Sequence, residues 1–275
     1  MQTQTSSFQG KIRLKIFTRT WIPDNQPTGV IVLVHGLNSH SGYYQWTAEQ
    51  FVEQGYAVFA LDLQGRGESE GERYYIENIY DWVSDVDTLV ESAKKQYGNL
   101  PIFVLGHSAG GVLACLYVLE HQEKIKGLIC ESFAFQVPAP DFALTVLKGL
   151  SHIAPHLHTI KLKNEDFSRD LSVVERMNND PLIANESQPA KTMEQLVLAD
   201  ERLKKEFSQI HIPVFIIHGT ADKATKYSGS QFFYENVGTV DKSLKLYEGH
   251  YHDLLNDLGK EIVMNDIADW IKNHI

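Results

Sequence analysis

The sequence is poor in cysteine, has no excess of basic residues and contains no long apolar run. Two cysteines, Cys115 and Cys130, occur in 275 residues, so a disulfide framework is excluded and we expect buried free thiols. Acidic residues outnumber basic ones by 35 to 25, which gives a formal net charge of −10. That charge disfavours a nucleic-acid partner and electrostatic docking on anionic membranes. No apolar run approaches the ~20 residues of a membrane-spanning helix.

The first ten residues are polar and carry neither the basic nor the apolar segment of a secretory signal. We therefore expect a cytoplasmic protein. The hydrophobic fraction of 43% and the charged fraction of 22% are typical of a globular chain.

Short β-branched runs alternate with helical patterns along most of the chain. Val30–Val34 and Tyr56–Leu61 predict strands buried on both faces, whereas Asn78–Tyr97 carries apolar residues at helical spacing. Lys11–Trp21 alternates and predicts an edge strand. Such an alternation predicts an α/β fold with a mostly parallel, doubly wound sheet.

The alternation is interrupted once, between a strand that ends near Cys130 and a strand that begins at Pro213. The interval of about 80 residues exceeds the ~30 residues of an ordinary crossover. It contains five prolines, and its helical patterns are short. We predict an inserted helical cap at residues 134–207, called the cap segment below, and a core formed by residues 1–133 and 208–275.

A G-x-S-x-G pattern, Gly106-His107-Ser108-Ala109-Gly110, lies between a predicted strand and a predicted helix. In that context the serine occupies a strained turn that exposes its hydroxyl at the carboxyl end of the sheet. The flanking glycines leave room for this turn. We therefore predict that Ser108 is a catalytic nucleophile.

A serine nucleophile needs a base and an acid that orients the base. In α/β-hydrolases the acid and then the histidine follow the serine along the chain. Asp222 comes shortly after a predicted strand, next to small residues, and is the candidate acid. Two histidines follow the next strand. We predict His252 as the base and keep His250 as the alternative.

The loop after the strand Val30–Val34 begins with His35-Gly36-Leu37. A loop at this place supplies one backbone N–H to the developing oxyanion, and the residue after the nucleophile supplies another. These rules predict Leu37 and Ala109 as the oxyanion donors.

The motifs resemble those of the monoacylglycerol lipase and lysophospholipase branch of the α/β-hydrolases, over nearly the whole chain. The segments that carry the resemblance are His35-Gly36, His40-Ser41-Gly42, Asp62–Arg73, Gly106–Gly111, Asn179–Leu182 and Tyr247–His252. The resemblance implies the triad Ser108, Asp222 and His252. We interpret Asp62–Arg73 as a scaffolding loop at a strand end, punctuated by glycines.

The sequence departs from this family where the glycerol head group would bind. The family pattern has Glu before the loop histidine, Arg shortly after it, and a second histidine past the catalytic one. These positions hold Ser39, Tyr43 and Leu255 here. The resemblance therefore specifies the acyl side of the site and leaves the head group open.

Asp141–Leu150 carries apolar residues at helical spacing within the cap segment. These residues either cover the core or form a lid that lines an acyl tunnel. The resemblance favours the lid, so we predict Phe142, Leu144 and Leu147 as substrate-binding residues. We also expect transient hydrophobic contact of the cap segment with membranes.

The sequence thus predicts a serine carboxylic-ester hydrolase that acts on lipid esters, of the monoacylglycerol lipase type. The alternatives are a lysophospholipase, a general carboxylesterase, or an S33-type aminopeptidase whose substrate amine binds acidic residues of the cap segment, namely Glu165, Asp166 and Asp170. A non-catalytic binding module is the alternative from another class. The chemistry needs no cofactor, and no metal site is predicted because Pro155 interrupts the histidine-rich stretch 152–158. No sequence feature indicates an oligomeric state.

Overall fold

Strands and helices alternate along the described residues, 1–135 and 148–275, of the computed structural model. The strands are β1 (Gln2–Gln9), β2 (Lys15–Ile22), β3 (Gly29–Val34), β4 (Tyr56–Leu61), β5 (Ile102–His107), β6 (Gly127–Glu131), β7 (His158–Ile160), β8 (Gln188–Pro189), β9 (Val214–Gly219) and β10 (Lys242–Tyr247). The α-helices are α1 (Gln45–Glu53), α2 (Ile79–Tyr97), α3 (Ala109–His121), α4 (Leu171–Asn179), α5 (Ala190–Glu206), α6 (Tyr227–Asn236) and α7 (Lys260–Lys272). Residues 148–153 are helical as well.

Eight strands form one sheet in the order β1-β2-β4-β3-β5-β6-β9-β10. β2 runs antiparallel to both of its neighbours, and the remaining pairs from β4 to β10 are parallel. The carboxyl ends of the parallel strands lie at the same end of the sheet, so the loops that follow β3, β5, β9 and β10 meet there. This arrangement confirms the predicted α/β-hydrolase fold.

The central strands are buried on both faces by helices. Val30, Val32 and Val34 of β3 belong to one core cluster, together with residues of α2 and α3. Ile31 and Leu33 point to the other face and pack with residues of α1 and α7. The side chains alternate between faces because successive residues of a strand point in opposite directions. The sheet is therefore doubly wound, as predicted.

The identity of the edge strand differs from the prediction. The strand predicted at Lys11–Trp21 is β2, which lies between β1 and β4, and the edge strand is β1. Seven of the eight residues of β1 are exposed, so the strand buries almost no apolar surface and its sequence lacks the alternation that predicts strands.

The cap segment also differs from the expectation of short helices. Its helix α5 spans 17 residues, and Met193 and Leu196 on this helix pack into the core cluster that contains α2 and α3. The boundaries of the cap segment at residues 134 and 207 remain a prediction. Among the described helices, none combines the length and apolar character that crossing a membrane requires.

Candidate active site

Ser108 lies at the turn between β5 and α3 in a strained backbone conformation. Its φ is +56° and its ψ is −120°, a region that non-glycine residues rarely adopt. A Cβ on Gly106 would lie 2.4 Å from the carbonyl oxygen of Gly110, and a Cβ on Gly110 would lie 2.1 Å from that of Val34. Only glycine fits at both places, which explains the spacing of the G-x-S-x-G pattern.

The three residues predicted as a triad form one hydrogen-bonded chain. Nε2 of His252 lies 2.8 Å from Oγ of Ser108, and Nδ1 lies 2.7 Å from Oδ2 of Asp222. With the ring proton on Nδ1, the serine hydroxyl donates to Nε2 and the ring donates to the carboxylate. The side chains of His252 and Asp222 are almost completely buried. This geometry allows a proton to pass from serine to histidine in front of a fixed negative charge.

The carboxylate of Asp222 has additional donors. Its Oδ2 accepts hydrogen bonds from Nε2 of His218 at 2.9 Å and from Oγ1 of Thr225 at 2.8 Å, and its Oδ1 accepts one from the N–H of Ala224 at 2.7 Å. Burial alone would raise the pKa of Asp222. The charge of His252 and the hydrogen bonds from both histidines outweigh burial and lower that pKa far below its usual range. Sequence reasoning gave His218 no role, although it precedes Asp222 by only four residues.

The alternative base, His250, lies outside this chain of hydrogen bonds. Its Nδ1 is 4.0 Å from Oδ2 of Asp257 and has no hydrogen-bond partner among the described residues. The structure therefore brings His252, and not His250, to Ser108 and Asp222.

The two predicted oxyanion donors border a cavity next to Ser108. Among hydrogen bonds between described residues, the N–H groups of Leu37 and Ala109 are not used. A Cβ on Gly36 would lie 2.8 Å from Cβ of Ser108, so the absence of a side chain lets this loop approach the serine closely. Within the described residues, both N–H groups are therefore available to bind a developing negative charge.

The cavity has a volume of about 290 Å³. Its apolar wall includes Ile160, Leu162 and Phe167 of the cap segment, together with one face of α5. Lys161, Lys163 and Lys223 also line it and are exposed, which places them at its rim. The cavity thus suits a substrate with an apolar chain beside the reacting carbonyl.

The loop Asp62–Arg73 contacts both the cap segment and the loop after β3, which carries Leu37. The carboxylate of Asp62 accepts hydrogen bonds from the N–H groups of Ser41 at 2.7 Å and Glu68 at 2.8 Å. The buried guanidinium of Arg66 contacts Glu186, whose Oε1 also accepts the N–H of Asn38 at 2.9 Å. These contacts support the interpretation of the loop as a scaffold.

The three residues that depart from the family pattern lie apart from the described cavity lining, and two of them, Tyr43 and Leu255, form hydrogen bonds elsewhere. The hydroxyl of Tyr43 donates to Oδ2 of Asp180 at 2.9 Å, the oxygen that also bonds to His40. The N–H of Leu255 donates to Oε1 of Glu131 at 3.0 Å. Ser39 is buried.

One group of possible metal ligands occurs among the described residues. His107, Glu131 and Asp253 are buried and bring three ligand atoms within 4.8 Å of one another. Burial raises the pKa of Asp253 to about 6 and that of Glu131 well above its usual range. The raised pKa favours the protonated form of Glu131, and a protonated carboxyl group binds cations poorly, so we interpret this group as support beneath the loop that carries His252.

The histidines of the cap segment have separate partners. His152 lies 3.6 Å from Glu194, and His156 lies 2.7 Å from Glu72. Nδ1 of His158 lies 2.8 Å from the carbonyl oxygen of Ser187.

Not all predicted residues lie in the described part of the chain. Phe142, Leu144 and Leu147, the predicted substrate-binding residues, fall outside it. Cys115 and Cys130 lie inside it, and both are free and buried, which confirms the prediction.

Comparison with known proteins identifies the family. Residues 25–259 match the family described as serine aminopeptidase, S33. A monoacylglycerol lipase from Mycolicibacterium smegmatis is 32% identical over 273 residues, which cover 98% of this chain and 97% of that protein. A monoglyceride lipase from Homo sapiens is 32% identical over 93% of this chain and 86% of its own length. The crystal structure of Paleococcus ferrophilus monoacylglycerol lipase superposes with a TM-score of 0.84 at 28% identity and covers 100% of both chains. The chain therefore belongs to the serine aminopeptidase S33 family of α/β-hydrolases.

Proposed function

We propose that this protein is a serine carboxylic-ester hydrolase that acts on lipid esters of the monoacylglycerol type. The observation that carries the proposal is the hydrogen-bonded chain Ser108–His252–Asp222 beside an apolar cavity. The relatives named monoacylglycerol and monoglyceride lipase support the class of substrate.

The proposed mechanism assigns one role to each residue of the site. Oγ of Ser108 attacks the ester carbonyl while Nε2 of His252 takes its proton, and Asp222 stabilises the imidazolium. The N–H groups of Leu37 and Ala109 bind the oxyanion, and each such donor is worth about 3 kcal/mol in the transition state. His252 then protonates the leaving alcohol, and water hydrolyses the acyl-enzyme with His252 as base.

The apolar wall of the cavity supports a lipid acyl group as the part of the substrate that it binds. Burial of a methylene group contributes about 0.8 kcal/mol. We therefore expect the rate of ester hydrolysis to rise with the length of the acyl chain until the cavity is filled.

An aminopeptidase is the alternative that the family description brings forward, and the charges around the cavity disfavour it. Of the three acidic residues considered for binding an amine, only Asp166 lines the cavity. Asp170 caps α4 through Ser172, and Glu165 is exposed beside Asn178. Exposed lysines outnumber Asp166 at the rim, which is unfavourable for a substrate ammonium next to the scissile bond.

The proposal extends to a hydrophobic contact between the cap segment and a lipid surface, in a protein of the cytoplasm. Ile153 and Leu171 are more than 80% exposed, and Leu157 is about half exposed. Apolar side chains of this kind bind a lipid surface without a requirement for positive charge.

The experiment that tests the proposal compares fatty-acid release from monoolein and from oleoyl-lysophosphatidylcholine, with Ser108→Ala as the blank. We expect faster turnover of monoolein and a loss of at least about a thousandfold in the variant. A preference for the lysophospholipid would mean that the head group of the substrate differs from the glycerol that we propose. Full activity of Ser108→Ala, or failure of Ser108 to react with a fluorophosphonate probe, would overturn the mechanism.

A further inference from the structure

Asp200 places a carboxyl group in the helical wall of the cavity. Met193, Leu196, Val197 and Asp200 of α5 all line it, because residues three and four positions apart share one face of a helix. The first three are apolar, so Asp200 is the polar end of an otherwise apolar helix face. The function proposed above does not use this group.

The carboxyl group lacks a partner among the described residues. Its Oδ1 is buried without a hydrogen bond, and no ion pair within the described part of the chain involves Asp200. Burial, together with the charge of Glu201, raises the pKa of Asp200 well above its usual range. A buried polar group without a partner is costly to the folded protein, so its presence in a substrate cavity calls for a ligand that supplies the missing hydrogen bond.

The position of Asp200 indicates which part of a substrate could supply that bond. Arg202, two residues after Asp200 on α5, forms an ion pair with Glu120 at 2.6 Å. Glu120 follows Ser108 by twelve positions along α3, which corresponds to about 18 Å of helix. The part of α5 that carries Asp200 therefore lies toward the end of the cavity away from Ser108.

We propose that Asp200 is a specificity-determining residue that selects esters whose acyl chain carries a hydroxyl group near its distal end. This inference rests on the proposed function and refines its substrate class. The hydroxyl donates a hydrogen bond to the Asp200 carboxyl, while the chain between the hydroxyl and the ester contacts Met193, Leu196 and Val197.

The preference has a physical basis, because a buried polar group is costly when it lacks a hydrogen-bond partner and is not costly when the substrate supplies one. A plain alkyl chain in this cavity covers Asp200 and leaves it without a partner, whereas a hydroxylated chain pairs with it. Sites built to bind a hydroxyl discriminate strongly against analogues that lack one. One hydrogen bond to a buried group amounts to about a tenfold change in relative rate.

The test measures kcat/KM for p-nitrophenyl decanoate and for its ω-hydroxy derivative. We expect the wild-type enzyme to prefer the hydroxylated ester by about tenfold. Asp200→Leu should reverse this preference, and Asp200→Asn should keep it, because the amide oxygen still accepts a hydrogen bond. Glu235→Leu is the matched control, since it replaces an acidic side chain by leucine at an exposed position of α6 that does not line the cavity. Its ratio should equal that of the wild type.

The outcomes separate this inference from the proposed function. Equal rates for both esters in the wild type, or an unchanged ratio in Asp200→Leu, would overturn the role of Asp200 while the esterase stands. If Asp200→Leu does not fold, the wild-type ratio alone decides. Absence of Ser108-dependent cleavage of either ester and of p-nitrophenyl acetate would contradict the proposed function itself.

Discussion

The imidazole rings of His218 and His252 hydrogen-bond to the same carboxylate oxygen, Oδ2 of Asp222, at 2.9 and 2.7 Å. His218 is itself fixed, because its Nδ1 lies 2.7 Å from Oγ of Ser230 on α6. The acid of the proposed triad is thus held by a second imidazole that is itself anchored to α6. We infer that His218 is a positioning residue for Asp222.

Replacement of His218 by Phe should reduce kcat about tenfold to a hundredfold and leave KM nearly unchanged. Phenylalanine also places a planar aromatic ring at this position but lacks the N–H that fixes Asp222, so His252 is oriented less well in the transition state. Steady-state kinetics on a short-chain ester would measure the split between kcat and KM. His218→Gln should recover much of kcat, because its amide can donate to the same oxygen. An unchanged kcat in His218→Phe would contradict the role.

The candidate site was predictable where one local segment determines the chemistry. Ser108 and its glycines are recognisable because the turn between β5 and α3 requires those residue types. Contacts between distant segments were not predictable. Glu186 accepts a hydrogen bond from Asn38, 148 positions away, and Asp200 enters the cavity only because α5 packs there.

The fold was predictable where strands are buried and ambiguous where they are exposed. The boundaries of β4 match the predicted strand Tyr56–Leu61 to the residue, because this strand is buried and apolar. β1 was not predicted because it pairs with one neighbour and has polar, exposed side chains. Helix α6 was not predicted for a related reason, since only three of its ten residues are buried.

Gly36→Ala should lower kcat about a hundredfold without preventing folding. A Cβ at this position would lie 2.8 Å from Cβ of Ser108 and 2.9 Å from the carbonyl oxygen of His107. The loop must move away to accommodate it, which displaces the N–H of Leu37 from the oxyanion. The measurement is kcat for a short-chain ester, with the far-UV circular dichroism spectrum as a check on folding. Gly149→Ala is the control, since the described atoms leave open space there. Equal activity of both variants would argue against Leu37 as a donor.

Glu186→Gln should reduce the free energy of unfolding by about 3–5 kcal/mol. The substitution leaves the guanidinium of Arg66 buried without its counter-charge, because both side chains are only 1% exposed. Urea unfolding monitored by tryptophan fluorescence would measure the change. Glu201→Gln provides a contrast, since its ion pair with Lys148 is partly exposed and should contribute about 1 kcal/mol or less. A loss below about 1 kcal/mol in Glu186→Gln would mean that this ion pair is not essential to the fold.

Asp85 should make the protein less stable as the pH rises from about 4 to about 7. Its carboxyl group is buried beside Gly10 and accepts the N–H of Lys11 at 3.4 Å, and burial, reinforced by the charge of Asp81, raises its pKa to about 7. The unfolded chain releases this proton near pH 4. Between these values the folded state binds more protons, so the free energy of unfolding falls with rising pH.

Asp85→Asn removes this proton release and keeps an oxygen that accepts the N–H of Lys11. We expect the variant to exceed the wild type in free energy of unfolding by about 1–3 kcal/mol at pH 8 and to differ little near pH 4. Urea titrations at a series of pH values would measure the difference. Glu248→Gln, at an exposed position, serves as the control and should follow the wild-type curve. A wild-type stability that rises over this range, with no gain in Asp85→Asn, would contradict a protonated Asp85 in the folded protein.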